Sequence, residues 1–176
     1  IVSSDLMTTC TRSVSGREIV LSGFFSSIGI WPHQEVTSEM HERAERAMAM
    51  LEDSHLAERF TDEMSSGEAR RVLLARALVH DPRALILDEP SIALDLGAQH
   101  ELRLILRKLA QSGTAIVMVT HHVSDLIPEI ESIVLMARGS IVADGLTREV
   151  LVESRLSTLF GRPLQLSERD GYYNLW

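Results

Sequence analysis

From Thr37 to His55 the apolar positions fall at Met40, Ala44, Ala47 and Leu51, three to four residues apart with charged residues between them. That period puts one apolar stripe along a helix, and Thr37 or Ser38 followed by acidic residues provides a cap and a suitable first turn. A second helix is predicted after Ser65. Ser65 and Glu68 have capping-box spacing, the helix runs through Arg76 to about Val79, and Asp81-Pro82 ends it. The run ALILD (84–88), bounded by Pro82 and Pro90, reads as a buried parallel strand. The pattern then gives a helix over 98–110 and an apolar strand over 114–120 (TAIVMVT). A short helix or turn interrupted by Pro128 follows, then two strands, SIVLMA (132–137) and SIVADG (140–145), across Arg138-Gly139. Upstream, residues 14–28 mix a short helical pattern with aromatics and glycines, and Trp31-Pro32 interrupt it.

From residue 67 onward the order is helix, strand, helix, strand, helix, strand, strand, helix. This predicts an α/β architecture with a mainly parallel sheet and an antiparallel edge. The first part carries no convincing strand beyond position 4 and reads as a separate helical lobe. The expected organisation is therefore a helical subdomain over 1–66, an α/β core over 67–160 and a C-terminal tail over 161–176.

Composition narrows the setting. A chain of 176 residues with 45% hydrophobic content suits one folded domain, or one large and one small lobe. The single Cys10 leaves no internal disulfide and fits a reducing, cytoplasmic compartment. A net charge of -8 argues against broad contact with a nucleic-acid backbone. No apolar run reaches the roughly eighteen residues of a membrane span, so direct insertion is not expected and a membrane role would come through a partner. Lys108 is the one lysine among 17 Lys and Arg residues.

Three places carry candidate chemistry. Asp88 and Glu89 close the ALILD strand, and a carboxylate at the carboxyl end of a parallel strand sits where α/β folds place ligands. There Asp88 is a short ligand for hydrated Mg²⁺ and Glu89 can align water; the plainer reading is a solvated acid pair before a turn. Ser65, Ser66 and Gly67 open a helix whose unpaired N–H groups can hold an anion, although Glu68 occupies one of those donors and a simple cap explains the same letters. Arg70, Arg71 and Arg76 can face solvent, pair with Glu68 or meet a partner's acid. His121 and His122 follow a strand directly, where a histidine can bond a phosphate oxygen or orient water, or where one packs and the other is exposed.

Taken together, Ser65-Ser66-Gly67-Glu68, the Arg-rich helix, LILDEP (85–90), SIALD (91–95) and VTHH (119–122) resemble the ATP-binding-cassette (ABC) family of ATPases, with motif order and spacing matching from 65 to 122. The resemblance implies ATP and Mg²⁺ as cofactors and a head-to-tail dimer with a second nucleotide-binding domain, identical or related. It implies that Met64–Glu68 correspond to the signature loop LSGGQ, with Ser66 in place of Gly and Glu68 in place of Gln. Ser65, Ser66 and Gly67 would then meet the nucleotide held by the opposing subunit. It assigns Asp88 to Mg²⁺ support, Glu89 to the catalytic base, Asp95 to the loop crossing the dimer interface and His121 to the γ-phosphate switch. The helical lobe would dock to a membrane permease, making the chain peripheral at the inner face of the membrane. The joining loop would fall near residues 2–7, with Ser4 or Met7 where the family has a Gln.

Family members grip phosphates with GxxxxGK[ST], and no such string occurs: no glycine lies in the eight residues before Lys108, and Leu109 follows it. The expectation is therefore an incomplete P-loop NTPase-type core lacking its N-terminal phosphate-loop portion, part of a longer polypeptide and inactive alone. A noncatalytic interaction module with a vestigial nucleotide site is the alternative.

Overall fold

The computed structural model describes residues 2–3 and 13–176. Cys10 and the Ser4 and Met7 positions of the expected joining loop lie outside the described residues. The chain divides into two units, residues 1–120 and 121–176.

The first unit is built on a parallel sheet of three strands in the order β1-β2-β3: β1 Val2–Ser3, β2 Ala84–Asp88 and β3 Ala115–Val119. Leu87 pairs with Val2 on one side and Met118 on the other, and Asp88 stands level with Ser3 and Val119. Four helices accompany the sheet: α1 Gly16–Leu21, α2 Ser38–Met50, α3 Ser66–Leu78 and α4 Leu96–Gln111. Each begins at a side-chain cap, from Ser15, Thr37, Ser65 and Asp95 respectively, so Ser, Thr and Asp, residue types suited to the N-cap, mark all four starts.

The core of this unit gathers Val20 of α1, Met48 of α2, Leu56, Val72 and Leu74 of α3, Leu87 of β2 and Leu106 of α4, all essentially inaccessible. Apolar burial on this scale supplies the dominant favourable term for the fold. Strand β2 differs from its predicted environment, because Leu85 and Leu87 are buried while Ile86 between them is 43% exposed. On β3, Val117 and Val119 are 51% and 56% exposed. Side chains alternate across a strand, so an all-apolar run covered on one face shows its other set to solvent.

The second unit holds the antiparallel pair β4 Ser132–Ala137 and β5 Ser140–Leu146, with a register shift between Leu135 and Met136. This pair forms its own two-stranded sheet rather than an edge of the parallel one. Short helices α5 Thr147–Val150 and α6 Glu153–Phe160 follow, then a hairpin of β6 Leu166–Arg169 and β7 Tyr172–Leu175. Its turn, Asp170-Gly171, has φ of 54° and 79°, the left-handed pair that a two-residue hairpin turn of the right twist demands. Leu126, Leu151 and Leu156 form the core here, with Ile133, Leu135, Leu166 and Tyr173 packed against them.

Candidate functional site

Parallel pairing of β2 with β1 and β3 brings Asp88 to the carboxyl end of the sheet. Its side chain is exposed and has no hydrogen bond or ion pair among the described residues. Glu89 follows with φ of 46°, a left-handed conformation that L-residues with a Cβ seldom adopt. Its amide is held by the Val119 carbonyl at 2.9 Å, which ties the turn to the end of β3. The two carboxylates thus differ in surroundings: Asp88 faces solvent, while Oε2 of Glu89 is buried.

Beyond Pro90 the chain makes tight turns, with Ile92 N donating to Glu89 O and Leu94 N to Ser91 O, before Asp95 starts α4. Asp95 Oδ1 accepts the Ala98 amide at 2.8 Å. Gln99 Nε2 donates to Leu94 O at 2.9 Å, which fixes the entry of the chain into the helix.

The first turn of α3 is a complete capping box. The Ser65 amide donates to Glu68 Oε2 at 2.8 Å, and the Glu68 amide donates to Ser65 Oγ at 3.3 Å. The bond from the Ser65 amide is the main reason the Glu68 carboxyl is held below the usual glutamate range. Arg59 also reaches Glu68, at 2.6 Å. The amides of Ser66 and Gly67 have no hydrogen-bond acceptor among the described residues, as is usual for the first amides of a helix.

The arginines of α3 separate into different roles. Arg71 Nε donates to both oxygens of Asp53, at 2.9 and 3.1 Å, and its Nη1 donates to Glu101 of α4 at 2.7 Å. Burial pushes the Asp53 carboxyl up, against the opposing pull of Arg71. Arg76 bonds Ser22 Oγ and Ser27 O, and Arg70 is 7% exposed with Nη1 buried. Burial pulls both of these guanidinium groups down from their ordinary value.

The structure brings Gly67 against the start of α4, because a Cβ built on Gly67 would lie 2.9 Å from Cβ of Ala98, three residues past Asp95. Asp88 and Glu89 belong to the same unit. His121 and His122 open the second unit, with ring centroids 3.9 Å apart at 43°. The Asp53–Arg71–Glu101 network and the Gly67–Ala98 approach have no counterpart in the predicted site.

The carboxyl end of β2 suits Mg²⁺ in its donor set. Among the described residues no group of three or more His, Cys, Asp and Glu could hold a metal ion. Protein-bound Mg²⁺ needs no such cage, since it uses one or two carboxylates together with water and phosphate oxygens. The unpartnered Asp88 fits that role. No helix of the described residues is long and apolar enough to cross a membrane.

A short parallel sheet with helices and an acid pair at its carboxyl end fit the P-loop NTPase class of fold. The ABC transporter family model matches residues 5–92. An ABC transporter ATP-binding protein of Bacillus subtilis strain 168, YlmA, described as uncharacterized, is 34% identical over 94% of this chain and 63% of its own length. The chain belongs to the ABC transporter family.

Among solved structures, an inward-facing ABC transporter described as of metal-chelate type covers 99% of this chain and 68% of its own, with TM-score 0.83 and 27% identity. The dimeric bacterial ABC transporter cassette MJ0796 covers 76% and 56%, with TM-score 0.59 and 26% identity. This chain thus spans less than two thirds of the length of the B. subtilis relative.

These matches correct two expectations. The family match runs from residue 5 through the Gly16–Leu21 stretch, so a missing phosphate-loop portion is not shown. The fold corresponds to the P-loop NTPase cassette over 99% of the chain, which overturns the expectation of an incomplete core. The physical reason is that a consensus string is a poor gauge of an element. Gly16–Leu21 folds as a helix anchored by buried Ile19, Val20 and Leu21, and a search for the string GxxxxGK[ST] does not test such an element.

Proposed function

We propose that this chain is an ATP-binding part of an ABC transporter ATPase, coupling MgATP binding and hydrolysis at a head-to-tail dimer interface to a membrane permease. The observation that carries the reading is the acid pair at the carboxyl end of β2, with Asp88 exposed and without a side-chain partner among the described residues, and Glu89 fixed beside it by its amide bond to Val119. In this reading Asp88 supports Mg²⁺ and Glu89 accepts a proton from the attacking water. His121 would touch the γ-phosphate. Bound Mg²⁺ would offset phosphate charge, which is the chief demand of phosphoryl transfer.

Ser65 and the amides of Ser66 and Gly67 would face the triphosphate of the opposing cassette, and Asp95 would cross the interface beside them. A dimeric solved relative supports the assembly. The helical part, α1 to the start of α3, would dock to the permease at the inner face of the membrane.

The test is MgATP binding and turnover by wild-type protein and by Glu89→Gln. Retained binding with turnover reduced at least about 100-fold is expected of a lost general base. Unchanged turnover in Glu89→Gln rules out that role. Absence of any MgATP binding by the wild-type chain would favour an interaction module.

A further inference from the structure

Gly67 and Arg71 lie four residues apart on α3, so they share one face of that helix. Ala98 and Glu101, three apart, share one face of α4. The two faces meet at two successive levels. At the first, Gly67 abuts Ala98 so closely that an added Cβ would stand 2.9 Å from the Ala98 Cβ and 4.0 Å from Arg71 Nη1. Carbon atoms prefer about 3.5–4.0 Å, so even one methyl group at 67 must push the helices apart. At the second level, the Arg71 guanidinium bridges Glu101 of α4 and the buried Asp53 ahead of α3.

Two contacts one turn apart resist rocking as well as sliding. They sit directly behind the helix starts that present the two caps. Ser65 caps α3 two residues before Gly67, and Asp95 caps α4 by accepting the amide of Ala98, the residue that Gly67 touches. Any shift of α4 away from Gly67 therefore moves the Asp95 cap with it.

We infer that Gly67 and Arg71 are positioning residues that join the first turns of α3 and α4 into one rigid piece, so that Ser65 and Asp95 are presented together to the nucleotide of the opposing cassette. This rests on the function proposed above. It gives Gly67 a role within its own chain, in addition to leaving room for a phosphate.

The test is a double-mutant cycle read by amide hydrogen exchange on the whole chain: wild type, Gly67→Ala, Ala98→Gly and the pair. Gly67→Ala should speed exchange at the hydrogen-bonded amides of both first turns, Glu68 and Ala69 in α3 and Ala98 and Gln99 in α4, about tenfold relative to the core of the unit. Ala98→Gly in the same chain removes the atom that the new methyl meets and should return both turns to within about threefold of the single Ala98→Gly variant. Arg71→Lys, which cannot bridge with a fixed fork, should loosen the same two turns together. Should Gly67→Ala fail to fold, Ala98→Val applies the same pressure from α4 and should speed exchange at Glu68 and Ala69.

An unchanged α4 turn in Gly67→Ala, or in Ala98→Val an unchanged α3 turn, overturns the inference. So does failure of Ala98→Gly to rescue. Sedimentation with MgATP supplies the functional arm. Association of cassettes should weaken in Gly67→Ala and recover in the double variant. Recovery of exchange without recovery of association would mean that Gly67 matters only to the nucleotide, and would overturn the positioning role. If wild-type protein binds no MgATP, the functional reading fails, while the exchange cycle still decides whether the two turns are joined.

Discussion

Ser65 and Glu68 cap each other across the first turn of α3, each amide donating to the other's side chain, at 2.8 and 3.3 Å. The hydroxyl that the proposed function turns toward a phosphate already holds the helix start in place. Ser65→Ala should lower stability by about 1 kcal/mol, the usual cost of losing such a cap, measured by urea denaturation. Ser65→Gly should lose only a few tenths, since the backbone at an N-cap tolerates glycine.

The same box predicts a pH dependence. The Glu68 carboxyl is held below the ordinary 4.5 by the Ser65 amide first and the Ser65 hydroxyl next. A carboxyl whose pKa is depressed in the folded state contributes stability that is present above the unfolded value and lost as pH falls through the folded one. The stability advantage of wild type over Glu68→Gln should therefore be constant at neutral pH and shrink as pH is taken down from about 4.5. An advantage that persists to the bottom of the acid range would show that the ionised carboxylate is not its source.

Among the described residues Arg71 is the only hydrogen-bonding partner of the Asp53 carboxylate, on a residue 1% exposed. Arg71→Met should cost about 3 kcal/mol in urea denaturation, because it leaves a buried charge without its counterion. Asp53→Asn added to that variant should recover part of the loss by removing the charge. Glu101→Gln should cost far less, since that carboxylate is largely exposed and screened by water.

In the second unit Leu156 is 1% exposed at the centre of the cluster with Leu126 and Leu151. Leu156→Ala should destabilise the chain by about 3 kcal/mol through lost burial and the cavity left behind, read as a lower denaturation midpoint. A change below about 0.5 kcal/mol would mean that the site collapses to fill the space.

The sequence made the helix starts legible because a cap is a local device. Thr37, Ser65 and the Asp81-Pro82 stop need only their near neighbours, and α2 and α3 begin and end close to those signals. Strands β2 to β5 were equally readable from short apolar runs between breakers. The last hairpin carried a readable mark too, since Asp170-Gly171 is a strong turn signal, yet the polar residues of β6 hide the alternation that would have confirmed it.

The missed features join distant segments. Asp53, Arg71 and Glu101 come from three elements, and no period relates their numbers. Gly67 also stands inside a recognisable loop, where its letter already has a reading, so its contact with Ala98 emerges only when α3 and α4 are laid together. The exposure of Ile86, Val117 and Val119 was hidden for a related reason: an all-apolar run does not say how many of its faces are covered.

Glu89 keeps its left-handed backbone, φ 46°, at a position where glycine would be at ease and where a side chain carries a penalty of order 1–3 kcal/mol. Selection for thermal endurance alone would accordingly drift toward Gly at residue 89 and discard the carboxylate as it went. The most heat-resistant descendants of this chain would be the ones that had forgotten their chemistry.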